Sequence, residues 1–215
     1  NRSQLNSVVI PEGIERIGML AFYHCTSLQT LDIPMTVRYI SNDAFSECQN
    51  LVVNIPYDLT GSLTYNHPSN LNVEIMITPP SSNKVSSMER IYIPRYATKI
   101  KDRAFSNCKS VKTIEVESGS PAFDSRDNCN AIIRTADNAL LFGCQNTVIP
   151  ETVKSIGAFA FEGHSNLRAI NLPKGVSSIG TAAFSGCTNL MAVTSNTKTP
   201  YALYDNTFSS NTYRS

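Results

Sequence analysis

The chain has 215 residues, 41% of them hydrophobic and 16% charged, a composition that excludes a disordered polypeptide and leaves room for one large domain or two small ones. Eighteen basic residues against 17 acidic ones give a net charge of +1, without the basic excess that neutralising phosphates demands, so the balance speaks against a nucleic-acid partner. No apolar run reaches the ~18 residues of a membrane span, and the opening "NRSQLNS" lacks the charged start and apolar centre of a signal peptide, as in a mature protein or an excised fragment.

Along the chain one sentence is written five times. "IPEGIERIGMLAFYHC" begins at residue 10, "IPMTVRYISNDAFSEC" at 33, "IPRYATKIKDRAFSNC" at 93, "IPETVKSIGAFAFEGH" at 149 and "LPKGVSSIGTAAFSGC" at 172. The prolines set the period: Pro11 and Pro34 stand 23 residues apart, Pro34 and Pro56 22, Pro56 and Pro79 23, and Pro150 and Pro173 again 23. A fixed period of this length marks stacked repeats, each unit burying its apolar face only against its neighbours. Pro79 and Pro94 are only 15 apart, so one turn is trimmed along "PSSNKVSS"; Pro94 and Pro150 are 56 apart, two periods and an insertion of ten.

Within a unit the apolar positions are Leu28, Leu31, Ile33, Val37, Ile40, Ala44, Phe45 and Cys48. Leu31 and Ile33 alternate with polar Thr30 and Asp32, the period of two that marks a strand with one buried face. Proline has no N–H for a ladder, so Pro34 and its equivalents end each strand at the same edge. Val37 and Ile40 open a return segment, where Gly18, Gly157 and Gly180 are expected to allow a tight bend. Ala-Phe follows on a helical turn, and the phenylalanines of successive units should stack in an offset ladder. Strands before Pro11, Pro34, Pro56, Pro79 and Pro94, one at "TIEVE", those before Pro150 and Pro173, and one at "MAVTS" make about nine coils. In the insertion, about 118–143, "NAIIRT" and "ALLFGC" flank "ADN" and read as a β-hairpin.

The pattern Leu, Ile, Ile-Pro, Val, Ile-Gly, Ala-Phe, Cys resembles the leucine-rich repeat of BspA-type bacterial surface proteins over nearly the whole chain, and the insertion is similar to one in that family. Residues 57–87 and His164, in place of the usual Cys, depart from it. The resemblance implies a leucine-rich-repeat solenoid: a right-handed coil of short parallel β-strands with irregular or short helical returns, one domain over 1–215, with irregular coils at 51–87. It also implies a non-catalytic protein-interaction or adhesion module at the cell surface or outside the cell, monomeric, with a protein partner such as a host matrix or surface protein. The alternative is a spacer within a larger surface protein, with no ligand of its own. Both ends read as cut, since "NRSQL" resembles the end of a missing unit and "TFSSNTYRS" stops in mid-repeat.

Of the six cysteines, Cys25, Cys48, Cys108 and Cys187 share one repeat position, which reads as a packing slot for a small apolar side chain before it reads as redox or metal chemistry. Stacking brings Cys25 and Cys48 within bridging distance, yet side chains pointing inward in parallel reach the bridge dihedral poorly. Cys129 and Cys144 flank the hairpin and are the pair whose separation admits a disulfide.

No nucleophile elbow, phosphate-cradling glycine loop or His-Glu-x-x-His motif occurs, so no enzyme, cofactor or metal is expected. His24, His67 and His164 fall in different coils, the last as a hydrogen-bonded core imidazole. Asp124 and Asp127 read as turn residues, lacking the ligand spacing and terminal Glu of a calcium loop. What remains is surface. Strand alternation exposes Arg90, Tyr92 and Glu115, with Asp32 and Thr113, on one concave face, and Tyr and Arg are the residue types that most often anchor interfaces. A competing contact is the hairpin, from which Arg134 and Leu141 are expected to project.

Overall fold

The structure, a computed structural model, describes residues 2–49, 51–56, 63–65, 73–79, 87–106, 108–197, 203–204 and 206–208. The trimmed stretch 80–86 and His67 lie outside the described residues. The fold is a parallel β-solenoid of about seven turns with almost no helix. Among the described residues there are seven front strands, Thr30–Asp32, Leu51–Pro56, Val73–Thr78, Arg90–Ile93, Thr113–Val116, Ala169–Leu172 and Ala192–Ser195, and all but Thr113–Val116 and Ala192–Ser195 lead into or end on a proline. Shorter return strands at Arg16–Ile17, Tyr39–Ile40, Lys99–Ile100, Ser155–Ile156 and Ser178–Ile179 carry the Ile-Gly part of the motif. Contacts divide the chain into two compact units, Asn1–Ser81 with Ile93–Ala104, and Ser82–Tyr92 with Phe105–Ser215.

In the first unit, Thr30–Asp32, Leu51–Pro56 and Val73–Thr78 pair in parallel, with Leu31 opposite Val53 and Val53 opposite Ile75. Alternation buries Leu51, Val53, Ile55, Ile75 and Ile77. The fourth strand of this sheet is not a front strand but the return strand Lys99–Ile100, registered on Met76 and Ile77. Fifteen residues between Pro79 and Pro94 are too few for a front strand, a return and a turn, and Arg90–Ile93 pairs with Thr113–Val116 instead.

In the second unit the insertion is built into the stack. Phe123–Asp124, Ala131–Arg134 and Ala139–Gly143 form an antiparallel meander, and Ala139–Gly143 then pairs in parallel with Ser155–Ile156, which pairs with Ser178–Ile179. Ile132, Ile133, Leu140 and Phe142 are buried, so the hairpin belongs to the core rather than projecting from it. Arg126 ties it down, donating to both oxygens of Asp124, to Asn138 Oδ1 at 2.8 Å and to Thr152 Oγ1 at 3.1 Å.

Two of the nine expected strands do not form. Val8–Ile10 and Thr147–Ile149 join no ladder among the described residues. Around Thr147 the cause is visible: bonds through Asn130, Asn146 and Thr147 side chains, and one main-chain bond to the insertion, take the place of a strand ladder. Ile114 N donates to Asn130 Oδ1, Asn146 Nδ2 to Lys112 O, Thr147 Oγ1 to Asn130 O and Val148 N to Cys129 O.

The aromatic ladder forms as the repeat requires. Phe22 stacks on Phe45 at 5.8 Å, Phe161 on Phe184 at 5.1 Å, and Phe184 on Phe208 at 5.3 Å. Phe142, from the hairpin, takes a rung against Phe105 at 4.9 Å. All six cysteines are buried and free, Cys129 and Cys144 included. Their slot has a polar reason as well as an apolar one: Cys48 Sγ donates to Phe22 O at 3.1 Å and Cys187 Sγ to Phe161 O at 3.0 Å, each bond reaching the previous coil. Burial pushes the Cys187 thiol up to about 12 and the Cys129 thiol to about 11, so neither forms the reactive thiolate at neutral pH.

The Ala-Phe segment is a series of tight turns, with left-handed residues two before and two after the phenylalanine: Leu20 and His24 around Phe22, Phe159 and Gly163 around Phe161, Ala182 and Gly186 around Phe184. The motif glycines answer to a different constraint from the expected bend. Gly180 has no left-handed φ, but a Cβ there would lie 2.4 Å from Ala158 N of the neighbouring coil, whereas one on Gly18 would meet nothing within 4 Å. Gly180→Ala is therefore expected to cost ~1–3 kcal/mol and Gly18→Ala to stay within ~0.5 kcal/mol, measured by urea denaturation.

His164 fills the Cys slot, 1% exposed, its ring 5.5 Å from Phe142 and its Nδ1 without a hydrogen-bond partner. The hydrogen-bonded imidazole expected from sequence is thus not seen at Nδ1. Burial, then the charge of Lys109, lowers its pKa to about 4. Between this value and the ordinary ~6.5 the unfolded chain holds a proton that the folded chain refuses, so the stability is complete above pH ~6.5 and is lost as pH falls towards 4, by up to ~3 kcal/mol. His164→Cys is expected to flatten that part of the stability–pH curve relative to the unsubstituted chain.

Candidate functional site: the charged rungs of the Arg90–Thr113 sheet

Arg90–Ile93 and Thr113–Val116 form a two-stranded parallel sheet that places a polar cluster on the second unit. Ile91, Ile93, Ile114 and Val116 point into the core, which forces Arg90, Tyr92, Thr113 and Glu115 outward. Three rungs then cross between the two segments. Lys112 Nζ donates to Glu89 Oε1, Arg90 NH2 donates to Glu115 Oε2, and the Tyr92 hydroxyl bonds to Glu117. Burial first, then that bond and the charges of Glu117 and Glu115, push the Tyr92 phenol up to about 12, with Arg90 opposing. It stays protonated and donating at any physiological pH.

The Arg90 and Glu115 side chains remain 63% and 49% exposed, and those of Lys112 and Glu89 50% and 64%. Exposed pairs of this kind contribute ~0–1 kcal/mol each, so the cluster adds little to folding. What it does is hold five long side chains and a phenol in one arrangement on an open face. With three glutamates against one arginine and one lysine, the face carries a small negative excess. It presents donors and acceptors in fixed order but no group poised for covalent chemistry.

Arg90, Tyr92, Thr113 and Glu115, expected on one face, are brought together on this sheet. Asp32 is not among them: it lies in the first unit, on a separate ladder, and accepts from Asn54 Nδ2 at 2.7 Å. In the hairpin, Arg134 is exposed and donates twice to Asp137, at 2.9 and 2.7 Å, while Leu141 is half-buried. Glu117, Glu89 and Lys112 went unremarked in the sequence, although the alternation that exposes Thr113 and Glu115 reaches Glu117 two residues later. Both oxygens of Asp124 are taken by Arg126, which leaves the Asp124–Asp127 loop a turn. Among the described residues no group of three His, Cys, Asp or Glu side chains could hold a metal ion, and no helix is long and apolar enough to cross a membrane.

Coils of some 23 residues, built from a front strand, most often ending at proline, a short return and in most units an Ala-Phe turn, define a leucine-rich-repeat solenoid. The chain belongs to the BspA-type leucine-rich-repeat family: the model of the BspA type leucine rich repeat region matches residues 1–118, 77–133 and 141–215, in six copies. No curated protein matches it. Among solved structures it is similar to a leucine-rich repeat protein from Eubacterium ventriosum, with 22% identity over 96% of this chain and 65% of that one, at a TM-score of 0.43. A leucine rich cell surface protein from Faecalibacterium prausnitzii is 25% identical over 84% of this chain and 58% of its own, at 0.47. The pneumococcal vaccine antigen PcpA is 23% identical over 85% of this chain and 43% of its own, also at 0.47. The chain thus spans less than two thirds of the length of each.

Because the rungs sit on the surface, Arg90→Ala with Tyr92→Ala is expected to lower the melting temperature by no more than a few degrees, with an unchanged circular dichroism spectrum.

Proposed function

We propose that this chain is a non-catalytic protein-interaction module of a bacterial cell-surface or secreted protein, and that its contact is centred on Arg90, Tyr92 and Glu115. The observation that carries the reading is the set of crossed rungs: an Arg and a Tyr, the residue types that dominate interface energetics, stand on an open sheet already held by Glu115 and Glu117. Side chains fixed before binding lose less conformational entropy on binding than free ones. Membership of the BspA-type repeat family supports the surface location and a protein-interaction role, and adhesion is the form of that role proposed here. Thr113 borders the contact, and Asp32 is a separate polar point on the first unit.

The second reading, a spacer without ligand, draws on the self-pairing of the same charges: each rung satisfies its own polar groups. Capture experiments with serum and matrix proteins at micromolar module separate the two, since a spacer retains nothing. For a captured and purified protein, Arg90→Ala with Tyr92→Ala is expected to weaken binding by at least ~30-fold, the loss of a ~2 kcal/mol anchor. The competing hairpin contact is tested by Arg134→Ala with Leu141→Ala, substitutions being used because deletion of the hairpin would remove buried Ile132, Ile133, Leu140 and Phe142. Full affinity in the folded Arg90/Tyr92 variant, with loss in the hairpin variant, overturns the assignment to the sheet.

A further inference from the structure

The first unit carries a second polar surface of different chemistry. At the proline edge of its front strands lies a half-open cleft of about 520 Å³, within the usual size of small-molecule sites. Asp32, Asn54, Thr78, Glu12 and Lys101 supply its polar groups, and Pro34, Pro56 and Pro79 with Ile10 and Ile33 its apolar ones. Asn54 Nδ2 donates to one oxygen of Asp32. The Glu12 carboxylate, the Lys101 ammonium and the Thr78 hydroxyl have no partner among the described residues.

We infer that this cleft binds a neutral saccharide. The cleft crosses the proline-capped ends of adjacent strands whose main-chain groups already pair with one another, so an extended peptide finds no open strand side to pair with there. Recognition therefore falls to side chains. These combine carboxylates that accept, an ammonium that donates, and a carboxamide and a hydroxyl that do both. Adjacent ring hydroxyls, each at once donor and acceptor, match such a set, and the C–H faces of a sugar ring match proline and isoleucine. A metal ion fits less well, because Lys101 places a positive charge at the same cleft and the carboxylates number only two.

The test is saturation-transfer NMR of the folded chain with glucose, galactose, mannose, lactose, maltose and cellobiose, followed by calorimetry of the sugar with the strongest signal. At least one is expected to bind with Kd near 1 mM or tighter, to lose affinity at least ten-fold in Asp32→Ala with Asn54→Ala, and to be unaffected by Tyr92→Ala on the other unit. Both substituted side chains lie on the polar side of their strands, and an unchanged melting temperature confirms folding. The inference is overturned if none of the six sugars saturates, or if the Asp32/Asn54 variant, folded, binds as the unsubstituted chain does. It fails separately from the sheet contact proposed above, which is read out by the Arg90 and Tyr92 substitutions.

Discussion

The fold depends on main-chain hydrogen bonds that pass from the Ala-Phe turns around Phe22, Phe161 and Phe184 to the next coil. Phe22 N donates to Ala44 O and His24 N to Ser46 O; Phe159, Phe161 and Gly163 donate in turn to Thr181, Ala183 and Ser185. Every second N–H of the turn thus leaves the coil, as in a strand, though the chain is bending. Left-handed residues two before and two after the phenylalanine make this possible, and most of them are not glycine: Leu20, His24, Glu47, Phe159 and Ala182 all adopt positive φ. Such a conformation costs an L-residue ~1–2 kcal/mol, and it persists because the bonds and the phenylalanine stack fix the turn from both sides. A single coil, with no neighbour to accept these bonds, has no reason to hold it, and that is why the unit must repeat.

The same constraint explains which parts of the architecture could be read in advance. Period, buried positions and the phenylalanine ladder are local properties of one unit copied along the chain, so spacing and alternation disclose them. The number of coils is not local. Val8–Ile10 and Thr147–Ile149 carry the strand pattern, but whether a strand forms depends on what stands beside it, and next to Thr147 stands Asn130, whose side-chain amide answers Ile114 in place of a backbone ladder. The glycines mislead for a similar reason. Sequence offers conformational freedom as the explanation of Gly180, while the structure shows the backbone of Ala158 where a methyl group would be, a fact about the neighbouring coil.

The candidate contact follows this division. That Arg90, Tyr92 and Glu115 point outward is decided by period two and was legible. That Tyr92 is held by Glu117, and that Asp32 stands on a different ladder, depends on which strands pair, and pairing was redirected where the repeat shortens between Pro79 and Pro94. His164 is a further case: the position was recognisable as a Cys slot, but its unpartnered Nδ1 arises from the aromatic and apolar surroundings that Phe142 and its neighbours bring from elsewhere in the chain.

Stability and recognition are therefore carried by different atoms of the same strands. Inward residues and turn amides bind coil to coil, and removing any of them is felt through the stack. Outward residues meet only their cross-strand neighbours, so their identity is free to vary with little effect on folding. The two units use that freedom differently. On the Arg90–Thr113 sheet both cations of the rungs are paired with a glutamate and Glu117 is bonded to Tyr92, which suits a broad contact where a partner's groups must compete for or extend existing pairs. At the proline edge of the first unit Glu12 and Lys101 are left unmatched beside the Asp32–Asn54 pair, and unmatched groups in a cleft gain most from a small ligand that supplies their bonds.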